Sequence, residues 1–131
     1  MLLDRLLGTW TISMRHAAMP APVSGQQGYR RVLGGAFVLL EWTYEHPEFP
    51  DALAMLDGTT CHYFDVRGVT RTFDLNVSDA GWTMIRRDTD FWQRSAARFV
   101  GPDTMEGSGE NSHDGGLTWQ HDFSMSYARV G

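Results

Sequence analysis

Hydrophobic and polar residues alternate along most of this chain, the pattern of strands that bury one face. Trp10, Ile12 and Met14 share one side of the segment 8–16, and Thr11, Ser13 and Arg15 share the other. Pro20, Pro22 and Gly25 interrupt the pattern, which resumes over 26–33 and, past a Gly34-Gly35 hairpin turn, over 36–45. The connection 46–58 carries Pro47 and Pro50. Within it, Asp51-Ala52-Leu53-Ala54-Met55-Leu56 predicts a helical turn opened by a proline and an acid. Further strands are expected over 59–66, 69–77, 82–87, 91–100, 104–110 and 119–130, divided by turns such as Arg67-Gly68 and Gly101-Pro102-Asp103. Residues 2–7 predict one more short helical turn.

About nine to ten strands at intervals of roughly 8 to 14 residues predict an all-β chain. Successive hairpins favour a closed antiparallel up-and-down β-barrel. In the last strand His121, Phe123, Met125 and Tyr127 form the larger, more apolar face, opposite Asp122, Ser124, Ser126 and Ala128. That strand is expected to pair with the first and so remove both sheet edges. No repeat or linker divides the 131 residues, so a single domain over 1–131 is expected.

Composition narrows the partners. Apolar residues make up 42% and charged residues 21%, as in folded soluble proteins. Sixteen acidic against eleven basic residues leave a net charge of −5, which argues against a nucleic-acid partner. The longest apolar run, 36–40, is too short for a bilayer, and the charged start Met1-Leu2-Leu3-Asp4-Arg5 is unlike a secretory signal. No membrane partner is expected. Cys61 is the one cysteine, so no internal disulfide can form and a cytoplasmic location is expected.

Gly8-Thr9-Trp10 resembles the Gly-x-Trp that opens the first strand of lipocalins and related calycins. The resemblance implies that Trp10 plugs one end of a barrel and that Arg129 packs across its ring, a cation–π contact. Four longer stretches resemble a widespread group of bacterial calycin-like proteins, barrels related to lipocalins and fatty-acid-binding proteins. They are Leu33-Gly34-Gly35-Ala36-Phe37, His46-Pro47-Glu48-Phe49-Pro50-Asp51, Tyr63-Phe64-Asp65-Val66-Arg67-Gly68-Val69-Thr70-Arg71 and Phe91-Trp92-Gln93-Arg94. Ser112-His113-Asp114-Gly115-Gly116-Leu117-Thr118-Trp119 belongs to the same pattern, and the resemblance covers almost the whole chain. It implies a calycin-type barrel and brings no activity with it. A shortened loop before Thr60 and Trp92 in place of a small residue depart from the group and bear on the cavity mouth. Ser112, Asp114, Gly116 and Trp119 also resemble the Asp-box hairpin of sialidase propellers. A single copy in so short a chain reads as a stable turn, with Asp114 accepting backbone hydrogen bonds and Trp119 packed beneath.

The polar residues expected to reach an interior cavity are Arg30, Glu41, His62, Arg71 and Arg94, with Trp92, Phe123 and Tyr127 contributing to its wall. Arg71 and Arg94 stand out, because both sit among apolar or aromatic neighbours and an interior Arg suits a carboxylate. Glu41 is either an interior base or the partner of Arg30 in a structural bridge, and the bridge is favoured. His62 is the other candidate base. His121 would be the haem ligand of a nitrobindin-like protein, whose Gly-x-Trp-x-Gly-x-Gly motif is not completed by Thr11-Ile12-Ser13-Met14. No cofactor is expected, and no histidine spacing suits a metal. The expected function is the holding of a small apolar or amphipathic molecule, by a monomer or a homodimer. The alternatives are an isomerase- or cyclase-type enzyme working in the same cavity, and a haem-binding nitrobindin-like protein.

Overall fold

Strand follows alternation almost everywhere. The computed structural model describes residues 2–130, and its ten strands close into one antiparallel barrel. The strands are β1 (Gly8–His16), β2 (Val23–Val32), β3 (Phe37–Tyr44), β4 (Ala52–Leu56), β5 (Thr60–Asp65), β6 (Thr70–Ser78), β7 (Gly81–Arg86), β8 (Trp92–Gly101), β9 (Thr104–Ser112) and β10 (Gln120–Arg129). Each pairs with its neighbour in sequence, and β10 returns to β1, from Trp10 opposite Arg129 to His16 opposite Phe123. This is the closed up-and-down barrel the alternation predicts, with no free edge.

One local expectation needs correction. Residues 52–56 form strand β4, not a helical turn. Val38 to Trp42 of β3 pair with Leu56 to Ala52, and β4 pairs in turn with β5. A helix there would have left the edges of β3 and β5 unpaired, whereas so short an isolated helix is itself marginal. The Gly34-Gly35 hairpin is a single 3-10 turn over Leu33–Gly35, in which Gly34 and Gly35 take left-handed φ values of 68° and 90°.

One end of the barrel is closed. A 3-10 turn over Leu2–Leu6 lies across it and buries Leu3 and Leu6 to 2% exposure, above a fully buried Trp10. Each such apolar side chain contributes about 1.5–3 kcal/mol when removed from water. Trp10 Nε1 donates to the Leu6 carbonyl at 2.9 Å. Arg5 donates to the Asp79 carbonyl and stacks 4.0 Å from the Phe99 ring centroid, while Arg31 pairs with Asp4. Because β1 starts at this end and the meander alternates, the connections 17–22, 45–51, 66–69, 87–91 and 113–119 all gather at the other end. That end is the mouth. No helix among the described residues is long and apolar enough to cross a membrane.

Candidate functional site

The inward residues of the strands surround a cavity of about 300 Å3, the volume of about ten liquid waters. Leu3 and Leu6 form its floor. Leu40, Phe73, Met84 and Met125 give it an apolar wall, and His16, Phe49, Arg67 and Arg71 stand at the mouth. The Phe49 ring is held by three others, 5.7 Å from His16, 5.8 Å from Tyr44 and 5.6 Å from His46.

Four tyrosines and Cys61 line the same space. Burial pushes the Tyr44 hydroxyl and the Cys61 thiol up to about 12. It raises Tyr29 and Tyr127 as well, and Tyr127 is raised in addition by the nearby Tyr29 and Tyr44. Tyr63 is raised by burial and by its 2.7 Å hydrogen bond to Asp65. All five groups are therefore neutral near pH 7, and none is a ready nucleophile or base.

At the mouth, two carboxylates already have partners. Asp65 accepts from Arg67 Nη2 at 2.6 Å and from the Tyr63 hydroxyl, and Arg67 holds its carboxyl well below the usual range. Asp122 lies 2.9 Å from His16 Nε2. His16 Nδ1 accepts the Ala18 amide at 3.1 Å, which places the ring proton on Nε2, donated to Asp122. Both ring nitrogens are thus occupied. Arg71 differs. It faces inward from β6, 5.5 Å from the Phe91 ring centroid, and no carboxylate among the described residues lies within ion-pair distance of it.

Among the described residues, three buried side-chain atoms have no hydrogen-bond partner: Gln27 Oε1, Trp82 Nε1 and Gln93 Oε1. All three residues line this cavity. A buried polar group left unpaired costs about 1–3 kcal/mol, so three of them on the walls of one cavity are its strongest polar feature.

The structure divides the residues singled out in the sequence. Arg71, Phe123 and Tyr127 line the cavity. Arg94 is among the lining residues too, but Gln93 and Ser95 take the inward positions of β8 and the Arg94 side chain is 44% exposed. Its guanidinium lies 3.9 Å from the Trp119 ring centroid, and its Nε donates to Glu110 at 3.0 Å. Glu41 and Arg30 do pair, at 3.5 Å, but on the outer face, with side chains 54% and 64% exposed. The even-numbered residues of β3 point inward, so the interior-base reading of Glu41 is corrected. His62 is corrected likewise. It projects outward between the inward Cys61 and Tyr63 and sits 3.7 Å from Asp57. Trp92 packs outside the cavity on the 113–119 turn, 6.5 Å from Trp119 and against Gly116.

His121 is also outside, exposed and 3.1 Å from the Ser124 hydroxyl. A β-bulge between His121 and Phe123 breaks the alternation of β10, so Asp122 and Phe123 both line the interior while His121 is turned away. It cannot serve as an interior haem ligand from there. Among the described residues no three His, Cys, Asp or Glu side chains converge as a metal site. Asp114 accepts from the Thr118 amide at 2.9 Å and from the Thr118 and Ser112 hydroxyls, which hold its carboxyl down at about 2. These bonds lie within the 113–119 turn and its flank.

Sequence reasoning missed Gln27, Trp82, Gln93, Asp122 and His16. Gln27 sits beside Gln26, identical in type and opposite in direction. Asp122 is inward only because of the bulge.

No family model matches the chain, and no curated protein matches it. Solved structures do. Fatty-acid-binding protein 1 of Echinococcus granulosus is 12% identical with a TM-score of 0.67, covering 98% of this chain and 99% of its own. A protein of the DUF3598 family from Nostoc punctiforme is 14% identical with a TM-score of 0.62 over 98% of this chain, which matches 49% of its length. The S-type phycobiliprotein lyase of Guillardia theta is 10% identical with a TM-score of 0.58, over 98% of this chain and 90% of its own. At these identities the likeness is one of fold, and the fold is the calycin-like barrel.

Proposed function

We propose that the protein binds a small amphipathic molecule inside the barrel, its apolar body against the aromatic wall and its anionic group at Arg71. One observation carries the reading: an inward guanidinium without a carboxylate partner stands at the mouth of a largely apolar cavity. An unpaired Arg beside an apolar space is suited to a carboxylate or a similar anion, which it binds through charge-assisted hydrogen bonds. A neighbour of the same fold is a fatty-acid-binding protein, which is in keeping with this ligand class. The volume limits the occupant to something compact, on the order of fifteen non-hydrogen atoms if about ten waters are displaced. An acid–base enzyme fits less well, because Glu41 and His62 lie outside and both nitrogens of His16 are occupied.

The test is native mass spectrometry of gently purified protein, followed by calorimetric titration with decanoate. One-to-one binding of decanoate, weakened when Arg71 is replaced by Gln, is the expected result. Absence of both a retained small molecule and any decanoate binding would overturn the reading.

A further inference from the structure

The polar atoms inside the cavity say more than that it binds an amphiphile. Gln27 is only 8% exposed, yet its Oε1 has no partner. Strand β2, which carries it, is diametrically opposite β7, which carries Trp82, and β8 with Gln93 adjoins β7. Their unpaired atoms therefore stand on facing walls of one space. Trp82 Nε1 is a donor only, while Gln27 Oε1 and Gln93 Oε1 are acceptors. An alkyl chain offers nothing to any of them. A group that both donates and accepts would satisfy Gln27 and Trp82 at once, while Gln93, level with Arg86 and four residues nearer the mouth than Trp82, would take a donor of its own.

We propose that Gln27, with Trp82 and Gln93 on the facing wall, forms a polar subsite that selects ligands carrying a hydroxyl or amide group inside the barrel over plain alkyl acids. The inference rests on the binding reading above and specifies its ligand class. A site with buried polar groups discriminates against the analogue that leaves them unpaired, because entry of an apolar chain strips them of water without return.

The test compares decanoate with ω-hydroxydecanoate, which share the carboxylate and the chain and differ in one hydroxyl. The hydroxy acid is expected to bind about tenfold more tightly or better, the equivalent of one net hydrogen bond. In Gln27→Met the preference should fall below about threefold, with decanoate gaining and the hydroxy acid losing. The ligand-free variant should be at least as stable as the parent, because an unpaired amide has been replaced by an apolar chain of similar length. Trp82→Phe provides an independent second variant with the same expected loss of preference. Equal binding of the two acids, a preference unmoved by both variants, or marked destabilisation by Gln27→Met would overturn the subsite and leave the binding reading standing. If neither acid binds, the binding reading falls and the subsite falls with it.

Discussion

The guanidinium of Arg129 lies 4.3 Å from the centroid of the Trp10 ring, joining the last strand to the first at the closed end. It is fastened on three sides: Nη2 donates to the Arg5 carbonyl at 2.7 Å, Nη1 to the Leu7 carbonyl, and Nε to Asp103 at 2.9 Å. The planar fork satisfies two carbonyls that the end of the Leu2–Leu6 turn leaves without partners, and it covers the indole at the same time. Arg129→Leu is expected to destabilise the barrel by about 2–3 kcal/mol, from the lost charged hydrogen bonds and the cation–π contact. Arg129→Lys should recover less than half, since an ammonium cannot span the same acceptors. Urea unfolding measures both, and a Lys variant as stable as the parent would refute the role of the fork.

Arg71 is expected to behave in the opposite way. With no carboxylate partner to lose, Arg71→Gln should shift stability by no more than about 0.5 kcal/mol. Its effect should appear in binding, as a roughly ten- to hundredfold weaker affinity for decanoate, the range of one charge-assisted hydrogen bond. The parent should also bind more weakly as salt rises, and the variant much less so. A variant that loses stability and keeps its affinity would make Arg71 a structural residue.

Phe123 depends on a missing side chain. It stands opposite Gly109 in the β9–β10 ladder, and a Cβ on Gly109 would lie 2.2 Å from Phe123 Cε1 and 2.4 Å from Cζ. The ring occupies the room the glycine leaves. Gly109→Ala is therefore expected to cost about 1–3 kcal/mol by overpacking and to push Phe123 into the cavity it lines. Urea unfolding and decanoate titration should then change together. Unaltered stability and unaltered binding would show that the ring moves aside freely.

The barrel was legible in the sequence where one face of a strand is uniformly larger than the other. Trp10, Ile12 and Met14 mark their strand without help, and Gly8-Thr9-Trp10 points to the closed end. The site was harder to read, because it depends on which face of each strand points inward. From Phe37 to Trp42 both faces are mostly apolar, so nothing local shows that Glu41 faces solvent while Leu40 and Trp42 face the cavity. At β4 the run Ala52 to Leu56 is too short to distinguish strand from helix by period, and only the pairing needs of β3 and β5 decide it. The bulge in β10 leaves no mark in residue type, and it exchanges His121 for Asp122.

Asp65 supplies a pH signature. Its side chain is fully covered, and Arg67 followed by Tyr63 holds its carboxyl below the ordinary value. In the unfolded chain it protonates near the ordinary value of about 3.9. Its contribution is therefore complete above that pH and is lost as the pH falls further. Asp65→Asn should be less stable than the parent at pH 7, and the gap should narrow as the pH falls from about 4 toward 2. Urea midpoints at pH 7 and at pH 3 provide the comparison. A gap independent of pH would mean that the carboxylate's charge contributes nothing.

Cys61 offers a view of the cavity from within. It is 1% exposed, it lines the cavity, and burial has pushed its thiol up to about 12. Only the thiolate reacts, and at pH 8 almost none is present in the closed barrel. From the thiolate fraction alone, alkylation by iodoacetamide should therefore be slower than that of a free cysteine by on the order of a thousandfold. The reagent must enter through the mouth or wait for the barrel to open. These routes separate on adding decanoate: an occupied cavity blocks entry, so the rate should fall further as the site saturates and return in Arg71→Gln. A rate insensitive to decanoate would assign the reaction to opening of the wall, and a rate equal to that of free cysteine would mean that the barrel does not shield its interior at all.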